Sequence, residues 1–368
     1  MFSFLKRLAL FSLFLLVGLE LVFRTVIPAA EIPAGFQDPV YQIMSLDQDV
    51  RENGHNSLGR LGRPRFAWHV NNFGFDSIYD YKIPADREAP CIAVIGNSFV
   101  EGLYGDADKH LAAQIQTAMG PAAEVYNLGT SGMPLSQCPR VVEYARDTFA
   151  PSLIIIQAEA GSVVRSLREN GWAAYCQQYA WEENNLIVLP PSKFTVNKRN
   201  RMLRKSALVR YLFYNTKFNL GGQGNVVQAE QDQDPIDPEI STSESNEKLE
   251  MAINKVLSEI RELVPGTPIL IIIDADRASL YSTGKTPDRL RDSPMLERIC
   301  RDYGIHFLDM TTTFSDEYMA EGRKFDFEDN YHWNAYAVGI VAQAVMAKLE
   351  SAGLFNNGRL VVKSTKGN

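Results

Sequence analysis

The sequence predicts an α/β fold: a doubly wound, parallel five-stranded sheet that carries a long insertion and is preceded by a hydrophobic helix. Three features lead there. Five short apolar runs recur along the chain, helical stretches lie between them, and one interval is far too long to be a strand-to-helix connection.

In chain order, the first element is the hydrophobic helix. Lys6 and Arg7 precede an uncharged, mostly apolar run at residues 8–19, and apolar residues continue past Glu20 and Arg24 to Ile27. The basic flank belongs on the cytoplasmic side, which places the remainder outside, in the periplasm. A retained anchor and a cleaved signal both fit this length, and the cleaved form would be secreted. The anchor is favoured because small-residue cleavage sites near Ala29, Ala30 and Ala34 are interrupted by Pro28 and Pro33. A buried core helix is the third reading. Residues 31–90 mix Gly, Pro, Asn and charge, and read as an irregular extension leading to the domain.

The domain proper spans 91–355. Its strands are expected at 91–95, 125–128, 153–157, 269–273 and 305–308, each short and continuously apolar as in a sheet buried on both faces. Helices are expected at 110–119, 247–263 and 335–352; the last places Val338, Val341, Val345 and Leu349 at helical spacing. Residues 163–248 form the insertion. It begins aromatic with Trp172, Tyr175, Tyr179 and Trp181, turns basic between Lys198 and Arg210, and ends in a polar stretch, 221–246, expected to be mobile.

Composition narrows the function. With 45% hydrophobic and 22% charged residues among 368, the chain folds, and a net charge of −7 argues against a nucleic-acid partner. Cys91, Cys138, Cys176 and Cys300 form no Cys-x-x-Cys pair, so neither a zinc site nor a redox motif is indicated. Cys91 and Cys300 read as small core residues. Cys138 and Cys176 lie nearer loops, where an oxidising compartment allows a bridge.

The chemistry gathers in three blocks. In Gly-Asn-Ser-Phe-Val-Glu-Gly, residues 96–102, Ser98 follows a buried strand at the sheet rim, either as a nucleophile or as the cap of the next helix. In Tyr-Asn-Leu-Gly-Thr-Ser-Gly, residues 126–132, glycines let backbone N–H groups approach an oxyanion or simply shape a turn. Asp329 and His332 precede the final helix. An imidazole can take a hydroxyl proton near neutral pH, and a carboxylate three residues earlier can hold its other nitrogen.

This order of blocks resembles the SGNH/GDSL hydrolase superfamily over residues 91–349, insertion excepted. The resemblance implies a flavodoxin-like sheet, a Ser98–His332–Asp329 triad, and oxyanion N–H groups from Ser98 and Gly132. The Leu-Glu-Leu-Val-Phe-Arg stretch and Asn72-Phe-Gly-Phe75 also resemble membrane-anchored members. The pattern departs twice. Asn97 stands where block I usually has Asp, and Gly161-Ser162 stands where block III has Gly and Asn, leaving Ser162 as the candidate third oxyanion donor. Losing an amide donor there costs about 100- to 1,000-fold in rate.

The expected function is a serine esterase or O-acyltransferase acting on O-acyl groups of an exported or cell-surface glycan. No metal or organic cofactor is called for. Substrate contacts are assigned to Asn97, Glu159, Trp172 and Trp181, with a solvated carboxylate as the plain reading of Glu159 and burial of the insertion as that of the rings. The rival is a catalytically impaired SGNH-like module that binds a glycan or an assembly partner in an envelope polysaccharide system.

Overall fold

The computed structural model describes residues 2–47, 53–159, 162, 164–167, 174–183, 185–195, 205–216, 243–290, 292–328 and 330–361. Helix α1 (Phe2–Thr25) has a mean hydropathy of 2.0 in its best window, and that window buries nothing against the protein. It is followed by two antiparallel hairpins, β1 (Gly35–Gln37) with β2 (Met44–Leu46) and β3 (Asn53–Ser57) with β4 (Arg65–His69). The extension is therefore more ordered than its composition implied. Ile43, Phe75 and Tyr81 enter the main core, and the Tyr81 ring stacks on Tyr126 at 4.1 Å. Widely separated contacts of this kind leave no periodic trace in sequence.

The central sheet is parallel and five-stranded. Its strands are β5 (Cys91–Gly96), β6 (Glu124–Gly129), β7 (Leu153–Ala158), β10 (Ile269–Ile273) and β11 (His306–Asp309), in the order β11-β10-β7-β5-β6. Counted along the sheet's own strands this is the 2-1-3-4-5 order of doubly wound flavodoxin-like folds. Every residue of β5, β7 and β10 is buried because helices cover both faces. Alternation divides them between two cores. Cys91, Ala93 and Ile95 face one side with the helices Cys138–Phe149 and Ser243–Leu263; Ile92 and Val94 face the other with Leu111–Met119 and Ala335–Ser351.

Between β7 and β10 the insertion contributes a hairpin, β8 (Gln178–Glu182) with β9 (Asn185–Leu189), and a short helical segment from Ala207 to Asn215. The polar stretch expected to be mobile lies outside the described residues as far as 242; from Ser243 the chain is already helix. All four cysteines are buried free thiols, so Cys138 and Cys176 form no bridge. Just before the last helix lies a short strand, β13 (Asn330–Trp333), paired with β12 (Asp326–Phe327), and a final hairpin, β14 (Phe355–Asn356) with β15 (Arg359–Leu360), follows the helix.

One glycine is set by packing alone. A Cβ on Gly129 would lie 2.2 Å from the Glu101 backbone nitrogen and 2.6 Å from the Val100 carbonyl carbon, because the end of β6 presses on the helix after β5. Backbone atoms cannot step aside as a flexible side chain can. Gly129→Ala is expected to lose about 1–3 kcal/mol or more of stability, read from the urea midpoint.

Candidate active site

The switch point of this sheet, where strand order reverses, lies between β5 and β7, and ligands bind outside the strand ends at such points. Ser98 is the first residue after β5 and its linking Asn97. It opens a one-turn helix, α2 (Ser98–Glu101), and is buried. Asn97, not Ser98, caps that helix: its side-chain oxygen accepts from the Phe99 N–H at 3.1 Å. The capping role that competed for Ser98 is thus taken by its neighbour. Asn97, to which the sequence assigns a substrate contact, turns its side-chain oxygen to the helix, and the Ser98 N–H is a first-turn donor with no partner inside it.

His332 arrives from β13, and its Nε2 lies 2.8 Å from the Ser98 Oγ. The direction of that bond can be deduced. Asn330 Oδ1 accepts from the His332 backbone N–H at 2.9 Å, which only an oxygen can do. The same oxygen lies 2.5 Å from the ring Nδ1, so Nδ1 must carry the proton. Nε2 is then left with its lone pair facing the Ser98 hydroxyl, the tautomer a general base needs. Asp329, to which the sequence assigns the orienting role, lies outside the described residues.

The imidazole is walled in by rings. Tyr104 stacks on it at 3.9 Å and Phe99 lies at 5.0 Å. Burial above all, then the nearby Arg277 charge, push its pKa down from 6.5 to about 3, so the imidazole is neutral at any ordinary pH.

Arg277 belongs to a buried charge cluster that the sequence reading missed. It pairs with Asp274 at 2.9 Å and with Asp326, donates to the Tyr331 carbonyl at 2.8 Å, and sits over the Phe99 ring. It therefore ties the end of β10 to both strands of the His332 hairpin and to the helix of Ser98. A signal for it existed. Asp274-Ala-Asp-Arg277 directly follows a wholly apolar strand, where functional groups of such sheets gather.

The block-II turn is held from below. Gly132 has φ +74°, a left-handed value that favours glycine. The adjoining Ser131 donates both its N–H, at 3.0 Å, and its hydroxyl to the buried Glu101 carboxylate. Around it, Asn127 donates to the Asp76 and Glu101 carbonyls, and His110 Nε2 lies 2.9 Å from the Asp76 carbonyl oxygen. Burial raises the Glu101 pKa to about 7, although the Ser131 bonds oppose it. The sign follows directly. The folded state keeps a proton that the unfolded chain releases above about 4.5, so this group's contribution to stability falls as pH rises from about 4.5 to about 7. Buried His110, lowered to about 4, acts oppositely, since the unfolded chain takes up its proton first as pH falls. Comparing wild type with Glu101→Gln isolates the acid. The variant is expected to gain about 2.5 kcal/mol relative to wild type between pH 5 and pH 8 in urea unfolding.

The remaining assigned residues are less concentrated. Ser162 is buried and its Oγ accepts from the Glu159 N–H at 2.8 Å within its own loop. Glu159 is not a solvated carboxylate: it is largely buried and ion-paired with Arg165. Trp181 packs against the core beneath Lys248, 5.7 Å from its ring, while Tyr179 is fully buried with its hydroxyl on Glu259, as rings that seat an insertion do. Trp172 and Gly161 lie outside the described residues.

No protein-family model matches the chain, and no curated protein matches it. Among solved structures it is similar to a two-domain esterase active on acetylated mannans, at 14% identity over 76% of this chain and 53% of that one, with a TM-score of 0.38. It is also similar to an α/β hydrolase enzyme from the metagenome of Lake Arreo, Spain, at 13% identity over 72% and 97% of the two chains and a TM-score of 0.39. A salicylyl-acyltransferase from a tetracycline biosynthetic pathway gives 13% identity, 73% and 57% coverage and 0.37. The chain spans about half the length of the first of these. At such scores the likeness carries no activity to this chain.

Proposed function

We propose that this chain is an SGNH-type serine esterase or O-acyltransferase, held by α1 with its catalytic domain outside the cytoplasmic membrane, and acting on O-acyl groups of an exported or cell-surface glycan. The observation that carries the reading is the 2.8 Å contact from Ser98 Oγ to a His332 Nε2 whose tautomer is dictated by Asn330. A nucleophile and a correctly protonated base at the switch point of a doubly wound sheet have little purpose in binding alone. The glycan rests on the expected location of the domain and on the family resemblance.

In this mechanism His332 Nε2 takes the Ser98 proton as Oγ attacks an ester carbonyl. The N–H groups of Ser98 and Gly132 receive the oxyanion, and its collapse expels the alcohol, which takes the proton from His332. Water or a sugar hydroxyl, deprotonated in turn, then attacks the acyl-enzyme and frees Ser98. Burial makes the imidazolium costly, so its stabilisation has to come from the Nδ1 side, where Asn330 lies and to which the sequence assigns the Asp329 carboxylate as the third member of the triad, and from the oxyanion formed beside it. Asn330→Ala removes that partner, and is expected to lower kcat about 100-fold with little change in KM, measured on an aryl acetate.

One observation favours the rival reading. The Ser162 Oγ accepts from the Glu159 N–H, which leaves its O–H to donate but fixes the oxygen within its own loop, so the third oxyanion position has one short-reaching hydroxyl where the family has an amide, as in a binding module descended from an enzyme. A fluorophosphonate probe decides between them. Labelling of the full chain that vanishes in Ser98→Ala and His332→Ala supports the enzyme; a folded wild type that takes no label sinks it.

A further inference from the structure

The outer end of α1 does not simply lead into the domain; the insertion is built onto it. Glu20 accepts hydrogen bonds from the Ser206 hydroxyl at 2.7 Å and from the backbone N–H groups of Ala207 and Leu208 at 2.9 and 3.0 Å. Arg24 donates to the Lys205 carbonyl at 2.8 Å, and the Phe23 and Tyr211 rings stack at 3.8 Å. The same segment then grips the turn between β3 and β4. The Tyr211 hydroxyl donates to the Arg60 carbonyl at 2.9 Å, and Asn215 bonds the Gly59 carbonyl and the Ala30 N–H, both at 3.0 Å. Three stretches distant in sequence meet around one helix end.

That junction has an unusual surface. Leu61 is 74% exposed, Val26 69% and Leu212 37%, although each adjoins a well-packed contact. Arg60, Arg63 and Lys205 belong to the same stretches, are exposed, and make no ion pair among the described residues, whereas Arg24 and Arg210 are paired with Glu20 and Glu31. A cationic cluster with protruding apolar side chains stands out on a chain of net charge −7. Residues 2–19 of α1, at about 1.5 Å per residue, extend roughly 27 Å, close to the thickness of a bilayer's hydrocarbon core; Lys6, whose Nζ lies 4.9 Å from the Phe2 ring, and Arg7 reach back along the helix to the cytoplasmic headgroups. Glu20 and everything bound to it then falls at headgroup level.

We propose that the outer end of α1, the turn between β3 and β4 and the 205–216 segment form one collar that rests on anionic phospholipid headgroups of the membrane α1 enters. The inference depends on reading α1 as a retained anchor. Arg60, Arg63 and Lys205 meet the phosphates, Leu61 and Leu212 dip beneath them, and the domain is held at one height and tilt. Cleavage after Ala30 would remove Glu20, Phe23 and Arg24 from beneath the insertion, so the helix is a structural part of the domain.

The test uses the full chain in lipid nanodiscs. The native cysteines are all buried, so Leu61→Cys takes an environment-sensitive fluorophore selectively, with Met319→Cys, 53% exposed on the helix Thr311–Glu321, as the solvent control. The expected result is blue-shifted emission and a several-fold drop in acrylamide quenching at position 61 but not at 319. The effect should be larger with phosphatidylglycerol than with phosphatidylcholine alone, and Arg60→Glu/Arg63→Glu should abolish that increment. Water-like emission at 61 in protein that stays in the nanodisc overturns the collar and leaves the anchor standing. Equal shifts in both lipids overturn the anionic assignment. Protein that never enters the nanodisc overturns anchor and collar together.

Discussion

Ser98→Ala and His332→Ala are each expected to lower kcat for ester cleavage by about 10⁴- to 10⁶-fold, and the double variant by no more than the worse single one. The reason is that the two side chains perform one act. The 2.8 Å contact lets Nε2 remove the proton as Oγ attacks, and either group alone leaves that transfer undone. Both residues are buried, so stability must be followed beside activity. Loss of kcat with an unchanged circular dichroism spectrum and urea midpoint identifies the nucleophile and its base, whereas additive losses in the double variant would mean that they act separately.

Arg277→Met is expected to have the largest effect on stability, about 3–5 kcal/mol, because it leaves Asp274 and Asp326 facing each other without their shared cation. It acts on catalysis as well. The Tyr331 carbonyl loses its donor, so the strand bearing His332 loosens, and the positive charge that helps to depress the His332 pKa disappears. That charge is the secondary cause after burial, so its removal raises the pKa without restoring the ordinary value. The expected outcome is a lower urea midpoint together with an acid limb of kcat/KM displaced to higher pH. Asp326→Asn added to Arg277→Met should recover part of the lost stability, since it removes one of the stranded charges. An unmoved pH profile would make Arg277 a brace and nothing more.

The strands of the central sheet were legible because a strand buried on both faces must be apolar without interruption, and Cys91 to Ile95 and Ile269 to Ile273 are such runs. That Ser98 and His332 meet was legible for a related reason. Ser98 sits where a buried strand ends, and His332 belongs to a segment bordering that edge, so each lies beside a recognisable element. Nothing comparable marks Tyr104 or Asn330. Their roles arise from rings and amides meeting across folded distances, and neither follows from its own neighbours in the chain.

The extension and the insertion divide along the same line. The extension shows mixed polarity without period, which reads as irregular chain, yet Phe75 and Tyr81 complete the core; the rings of the insertion left burial and substrate contact both open, and Tyr179 seals the insertion onto the core. The sequence by itself determined the sheet, its covering helices, the order of the chemical blocks and the apolar length of α1, because each depends on a local pattern of burial or turn geometry. Only the tertiary structure decided that Asn97 caps the helix and releases Ser98, that Asn330 sets the His332 tautomer, and that Arg277 joins two strands to the helix of Ser98. Those are contacts among groups that can satisfy their hydrogen bonds and charges in many ways, and the folded backbone selects one.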